Sequence, residues 1–203
     1  ASGDLLAALL PDASLAGHPG LDRHVGECVD RRLMALIGGE TAAEPLQSLP
    51  LSLATVTSAP FQAFNDRMFA AGRARIVIEI DLTDILSNSA IAPLACHRLR
   101  RCGYRVLVTG LDRCNWRLIR GDALAADYVD LAFSAAMLAD GAARAALAAW
   151  IGAIGAGRLI LSGVHVREAL DFGMAAGIEL FQGHYVEHLP RDDAARRGAP
   201  ATG

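Results

Sequence analysis

Apolar positions along this chain switch repeatedly between a helical step of three or four residues and a strand-like run of consecutive β-branched residues. Leu21, Val25, Cys28, Val29, Leu33 and Leu36 recur at helical spacing and Gly38-Gly39 closes the run, which predicts a helix over LDRHVGECVDRRLMALIGG. Upstream, DLLAALL is a short apolar segment stopped by Pro11. Downstream of a polar linker, PLSLATV predicts a short strand around Leu51 to Val56, and APFQAFNDRMFAAG a helix with Phe61, Phe64, Met68 and Phe69 on one side. The run from Arg75 to Ile80 in ARIVIEIDL is the strongest strand signal, and a helix from about Ser89 to Arg101 follows it.

The second half repeats the alternation. YRVLVTG reads as a strand, LDRCNW as a loop feeding a helical turn, and ADYVDLAF as a strand. Ala135 to Trp150 reads as an alanine-rich helix, GRLILSG as a strand, VREALDFGMAAG as a helix, and IELFQGHYV as the last strand with its exit loop. Six strands alternate with helices and are apolar enough for burial on both faces. The pattern fits either a doubly wound sheet or part of a (β/α) barrel, and in both the carboxyl ends of the strands are where chemistry is expected.

Composition narrows the functions open to such a fold. With 203 residues, 53% apolar but only 5% aromatic, one substantial core rich in small side chains is expected. The formal charge is -3 and no long basic run occurs, which argues against nucleic acid as a partner. Lysine is absent, so no Schiff base and no lysine phosphate clamp can form. Cys28, Cys96, Cys102 and Cys114 have irregular spacings without a Cys-x-x-Cys pair, which predicts buried free thiols in a reducing cytoplasm. No apolar run has membrane-spanning length, and RDDAARRGAPATG has the composition of a flexible tail.

The strand ends carry few chemical groups. Ala54, Thr55 and Thr57 stand at the first, Glu79 and Asp81 at the second, Thr109 and Gly110 at the third. Asp127, Asp130 and Ala132 mark the fourth, Ser162 the fifth and Gln182 the sixth. Metal-assisted hydrolysis needs several carboxylates or imidazoles converging on an ion, and only Glu79 and Asp130 are placed for it. His165, His184 and His188 would need Glu79 or Asp112 to complete a zinc site, and the spacing of His184 and His188 follows a predicted strand rather than a helix. Ser162 near His165 lacks a nucleophile elbow and an orienting acid. GAIGAG, Gly152 to Gly157, precedes a strand instead of following one, so it reads as a helix end and turn. RLRR, Arg98 to Arg101, reads as a solvated helix face with Arg105 nearby.

The order of these pieces resembles the EAL domain, the bacterial cyclic di-GMP phosphodiesterase family with a TIM-like barrel, in degenerate form. IVIEIDLTDIL resembles the family's Leu-Glu-(Ile/Leu)-Thr-Glu strand, and LRRCGYRVLVTGLDR the segment running into Asp-Asp-Phe-Gly. ADYVDLAFSAAM resembles the Asp-x-x-Lys-(Ile/Leu)-Asp strand, and GRLILSGVHVREALDFGMAAGIELFQGHYVEHLP the Ala-Glu-Gly-Val-Glu strand, its helix and the closing Gln-Gly. The resemblance implies an α/β fold, an incomplete TIM-like (β/α) barrel of EAL type with about six strands visible. It spans 21–190, between an N-terminal segment 1–20 and a tail 191–203.

The departures carry the functional expectation. The family's metal-binding glutamate is Glu79, but the second glutamate of that strand is Leu82; its paired aspartates are Thr109 and Gly110; its lysine is Asp130, followed by Ala132 in place of an aspartate. The glutamates of the next strand are Ser162 and His165, and the closing glutamine is Gln182 beside Gly183. These positions read as a relic pocket. The resemblance therefore implies a catalytically inactive regulatory domain with no cofactor and no bound metal, acting in bacterial signalling through a protein partner or a homodimer. Its alternatives are a non-catalytic cyclic di-GMP receptor, with Arg105, Arg113 and Gln182 as candidate ligand contacts, and a metal-dependent hydrolase of altered mechanism. The family's first two strands have no visible counterpart before Leu21, so either they lie upstream or the exposed sheet edges are covered by other chain or a second protomer.

Overall fold

A computed structural model describes residues 19–37, 46–119, 125–138 and 140–189. The DLLAALL segment, Gly38-Gly39 and the 191–203 tail lie outside the described residues. Six parallel strands are hydrogen-bonded in chain order, β1-β2-β3-β4-β5-β6: β1 (Gln47–Pro50), β2 (Ile76–Asp81), β3 (Arg105–Leu111), β4 (Tyr128–Ala132), β5 (Leu159–Ser162) and β6 (Leu180–Phe181). A doubly wound sheet reverses its strand order at a switch point. This one does not, so the incomplete (β/α) arrangement of EAL type is the one present.

Contacts divide the chain into two compact units, 1–109 with 124–128, and 110–123 with 129–203. In the first, α1 (Pro19–Leu36) packs on the short helices α2 (Leu53–Val56) and α3 (Ala59–Arg67). Next come α4 (Ala70–Arg73), α5 (Leu82–Ser87) and α6 (Ala92–Arg101). Local capping explains where these helices start. Ser52, Ser58 and Asp81 each accept a hydrogen bond from a backbone N–H of the first turn, at Thr55, Phe61 and Thr83. Leu49, Ile76, Ile78, Ile80, Val106 and Val108 are buried, together with Phe61, Phe64 and Leu99 of the helices. The Arg73 guanidinium stitches this layer together, donating to the carbonyls of Asn65, Met68 and Cys102.

The second unit contains α7 (Gly141–Ile154), α8 (Arg167–Ala175) and α9 (His184–Glu187). Its core holds Val129, Leu131, Leu159 and Leu161 of the strands with Leu147, Ile151 and Phe172 of the helices. Trp150 on α7 packs edge-on to Trp116, centroids 5.5 Å apart, and donates its indole N–H to the Ile119 carbonyl at 2.8 Å.

Several elements differ from the sequence-based expectation. Residues 53–56 are helix, and the strand lies earlier and ends at Pro50. The Ser52 cap and carboxylates reaching in from Asp30 and Asp84 override the β-branched pattern of LATV, and proline is tolerated at the end of an edge strand. The helix expected from Ser89 is preceded by α5 and begins at Ala92. The alanine-rich segment opens as a 3₁₀ turn, Ala135–Leu138, and becomes α-helical only after Asp140 caps Ala143. The last strand is two residues long and passes through Gly183 into α9. Burial on both faces holds in the middle of β2 and β3, where Val77 and Leu107 are buried, but Glu79, Thr109, Asp130 and Ser162 are only half-buried. The cysteines are free, but Cys28 and Cys114 are exposed, Cys102 is half-buried and Cys96 alone is buried, where burial pushes its thiol pKa up. Among the described residues no helix is long and apolar enough to cross a membrane.

Tyr104 gives a test of the first core. It is 2% exposed, sits against Phe61 and Phe64, and its hydroxyl has no hydrogen-bond partner among the described residues. Burial pushes its pKa from 10.0 up to about 12, with Arg73 pulling the other way. The folded state keeps the phenol proton after the unfolded chain has released it. Stability from this group is therefore present below pH 10.0 and lost as pH rises towards about 12, at about 1.4 kcal/mol per pH unit. Tyr104→Phe is expected to remove that alkaline loss and to raise neutral-pH stability by about 1 kcal/mol, because an orphaned hydroxyl is costly. Denaturant midpoints at neutral and alkaline pH check both signs; a neutral-pH loss would show that the hydroxyl is partnered.

Candidate functional site

In the first unit, parallel pairing sets Pro50 beside Glu79, Glu79 beside Leu107, and Asp81 beside Thr109. Because side chains alternate, Ser48, Pro50, Glu79, Asp81 and Thr109 share one face. The acids here are engaged in the fold. Glu79 accepts a hydrogen bond from the Ser48 hydroxyl. Asp81 accepts from the Thr83 N–H at 2.7 Å. Asp84 accepts from the Leu53 N–H at 2.6 Å with one oxygen and from the Asn88 amide at 2.8 Å with the other. Asp30, 7% exposed, accepts from both the N–H and the hydroxyl of Ser52.

Ala54, Thr55 and Thr57, expected at a strand end, belong to α2 and its cap, where the Thr57 hydroxyl donates to the Leu53 carbonyl. Arg105 opens β3, at the end of the strand opposite Thr109, and donates to the Tyr128 hydroxyl at 2.9 Å. Four residue steps along the strand separate the two, roughly 13 Å.

In the second unit, pairing sets Asp130 beside Ile160, Ala132 beside Ser162, and Ile160 beside Leu180. Asp130, Ala132, Ser162 and, one residue past β6, Gln182 therefore lie on one face. Gln182 is exposed, and its backbone bridges the N–H of Val164 and the carbonyl of Leu161. Gly110 has φ +84 and its carbonyl accepts from the Asn115 amide. Asp112 and Asn115 close that loop reciprocally, which leaves Arg113 exposed within it. Among the described residues no hydrogen bond joins Ser162 to His165.

The late histidines were expected on a strand exit. Instead α9 stacks His184 on His188, ring centroids 5.7 Å apart, with His165 6.0 Å from His184. Glycine 183 is what turns the chain there. Gly152 to Gly157 is the end of α7 and a turn, as its position before a strand predicts.

Sequence reasoning missed Ser48, Asp30 and Asp84. Ser52, a good N-cap residue, was the visible signal for a capped helix at 53–56, but nothing local marks the distant carboxylates that reinforce it.

The sequence matches the EAL domain family over residues 5–188. The chain belongs to this family. Similar solved structures include the Bacillus subtilis YkuI protein, with an EAL domain, in complex with cyclic di-GMP and calcium, at 17% identity and TM-score 0.63, covering 95% of this chain and 49% of that one. Klebsiella pneumoniae BlrP1 in a manganese and cyclic di-GMP complex matches at 18% identity and TM-score 0.59, covering 83% and 45%. The FimX EAL domain matches at 18% identity and TM-score 0.59, covering 91% and 75%. This EAL domain thus spans less than half the length of the Bacillus and Klebsiella chains. Among curated proteins the sequence has no match.

A divalent-metal centre of the kind the family implies needs several carboxylates or imidazoles converging on the ion. Among the described residues no group of three or more His, Cys, Asp or Glu is arranged to hold a metal ion. Glu79, Asp81 and Asp84 are each hydrogen-bonded within the fold, and Thr109, Gly110 and Ala132 offer no carboxylate. Within each unit the described donors do not group as such a centre requires.

Proposed function

We propose that this EAL domain serves cyclic di-GMP signalling without hydrolysing the dinucleotide, acting through protein contacts. Family membership supports the signalling role. The observation that carries the loss of hydrolysis is that, among the described residues, no three acids, imidazoles or thiols converge around Glu79, whose neighbouring strand carries Thr109 and Gly110. Metal-assisted phosphodiester cleavage needs clustered acids that hold ions and lower the pKa of water. Here Thr109 and Gly110 of β3 carry no carboxylate, and Asp112, just past the strand, accepts from the backbone N–H groups of Cys114 and Asn115. Exposed apolar side chains on α5 and at the start of α6, Leu86, Ile91 and Leu94, support the protein-contact part of the reading.

Hydrolysis of cyclic di-GMP with magnesium or manganese is expected to stay at the blank rate, for the native chain and for Glu79→Gln alike. Metal-dependent turnover abolished by Glu79→Gln would overturn the reading. Calorimetric titration with cyclic di-GMP is expected to be silent; micromolar binding would replace protein contact by a receptor role. Light scattering over a concentration series reports whether the partner is a second copy of this chain.

A further inference from the structure

Within the first unit, where α6 ends at Arg101 and β3 begins at Arg105, a cleft of about 440 Å3 opens to solvent. His97, Arg100, Arg101, Arg105 and Asp127 line it. Three guanidinium charges against one carboxylate leave a net charge of +2 in a small volume, on a chain whose total is -3.

The lone carboxylate is already partnered. Asp127 accepts from the Val106 N–H at 2.9 Å with one oxygen and from Arg100 Nε at 3.1 Å with the other. Arg100 thereby spends one of its five N–H donors, and Arg105 spends one on Tyr128. Arg101 is exposed and makes no side-chain hydrogen bond or ion pair among the described residues. Arg98 of the same turn differs, since it donates to Gln62.

Basic residues in the last turn of a helix complement its dipole, which accounts for some arginine at this end of α6. It does not account for Arg105, which comes from a strand and faces the same cleft. Guanidinium forks from two elements with unused donors suit phosphoryl oxygens, which they can bind in bidentate fashion. The volume lies in the range of small-ligand sites and leaves room for more than one phosphoryl group.

We propose that this cleft binds a small anion carrying a diphosphate group, held by Arg101 and Arg105 with Arg100 and His97 at its edge. The site stands at the amino end of β3, away from Thr109, and is independent of the reading above.

The test is calorimetric titration of the full chain with inorganic pyrophosphate, and in a second arm with a nucleoside diphosphate. Saturable one-to-one binding is expected, weakened about tenfold by Arg101→Gln and lost in Arg101→Gln/Arg105→Gln, with the unfolding midpoint unchanged because both side chains are exposed. Tighter binding of the nucleotide would identify a nucleotide ligand; equal binding would identify the diphosphate group itself as what is recognised. Absence of saturable binding, binding undiminished in the double variant, or displacement of pyrophosphate by cyclic di-GMP would overturn the proposal.

Discussion

Gly183→Ala is expected to destabilise the second unit by about 3 kcal/mol, from backbone strain and overpacking together. Gly183 has φ +148, and a Cβ there would lie 2.5 Å from both the nitrogen and the oxygen of Val164. Neither atom can move away cheaply. The Val164 N–H donates to the Gln182 carbonyl at 3.1 Å and its own carbonyl accepts from the Tyr185 N–H at 3.0 Å, so the turn that sets Gln182 and starts α9 is built on this contact. Gly152→Ala is the matched control. It lies within α7 with nothing within 4 Å of its Cβ position, so alanine there is expected to stabilise by about 0.5–1 kcal/mol. Chemical denaturation with hydrogen exchange at the β5 and β6 amides checks both; equal stability of Gly183→Ala and the native chain would contradict the close approach.

Phe64→Ala is expected to cost about 3–5 kcal/mol, the range for deleting a fully buried aromatic ring. Phe64 is 1% exposed and its ring lies 6.0 Å from Phe61 and 6.5 Å from Tyr104, so the deletion removes two of the three ring contacts of that cluster. The cluster joins α3 to the start of β3, and its loss should also flatten the near-ultraviolet circular dichroism. A cost below about 1 kcal/mol would mean that the ring is not packed as described. The contrast with Tyr104→Phe, expected to stabilise, separates loss of volume from loss of an unsatisfied hydroxyl.

Much of the scaffold was legible because strand and helix periods are local. ARIVIEIDL, YRVLVTG, ADYVDLAF and GRLILSG all contain strands where their β-branched runs lie. Boundaries failed where a residue distant in sequence intervenes. LATV has a strand-like composition, yet it is helical because Asp84, 31 residues away, accepts the Leu53 N–H. The closing IELFQGHYV reads as a strand with its exit loop, yet the strand covers only Leu180–Phe181, and Gly183 beyond it lies against Val164.

The candidate site divides in the same way. Which residue types occupy the positions of the family's acids, Thr109, Gly110 and Ala132 among them, is a property of the sequence alone, since identity does not depend on folding. So is the alternation of strands and helices, because each period is set by neighbouring residues and their backbone preferences. Only the tertiary structure decided that Glu79 is taken by Ser48, that Asp30 and Asp84 anchor α2, and that arginines from a helix and a strand share one cleft. Those outcomes depend on strand register and on helices packing across it, and a shift of one residue in register would turn every such side chain to the opposite face.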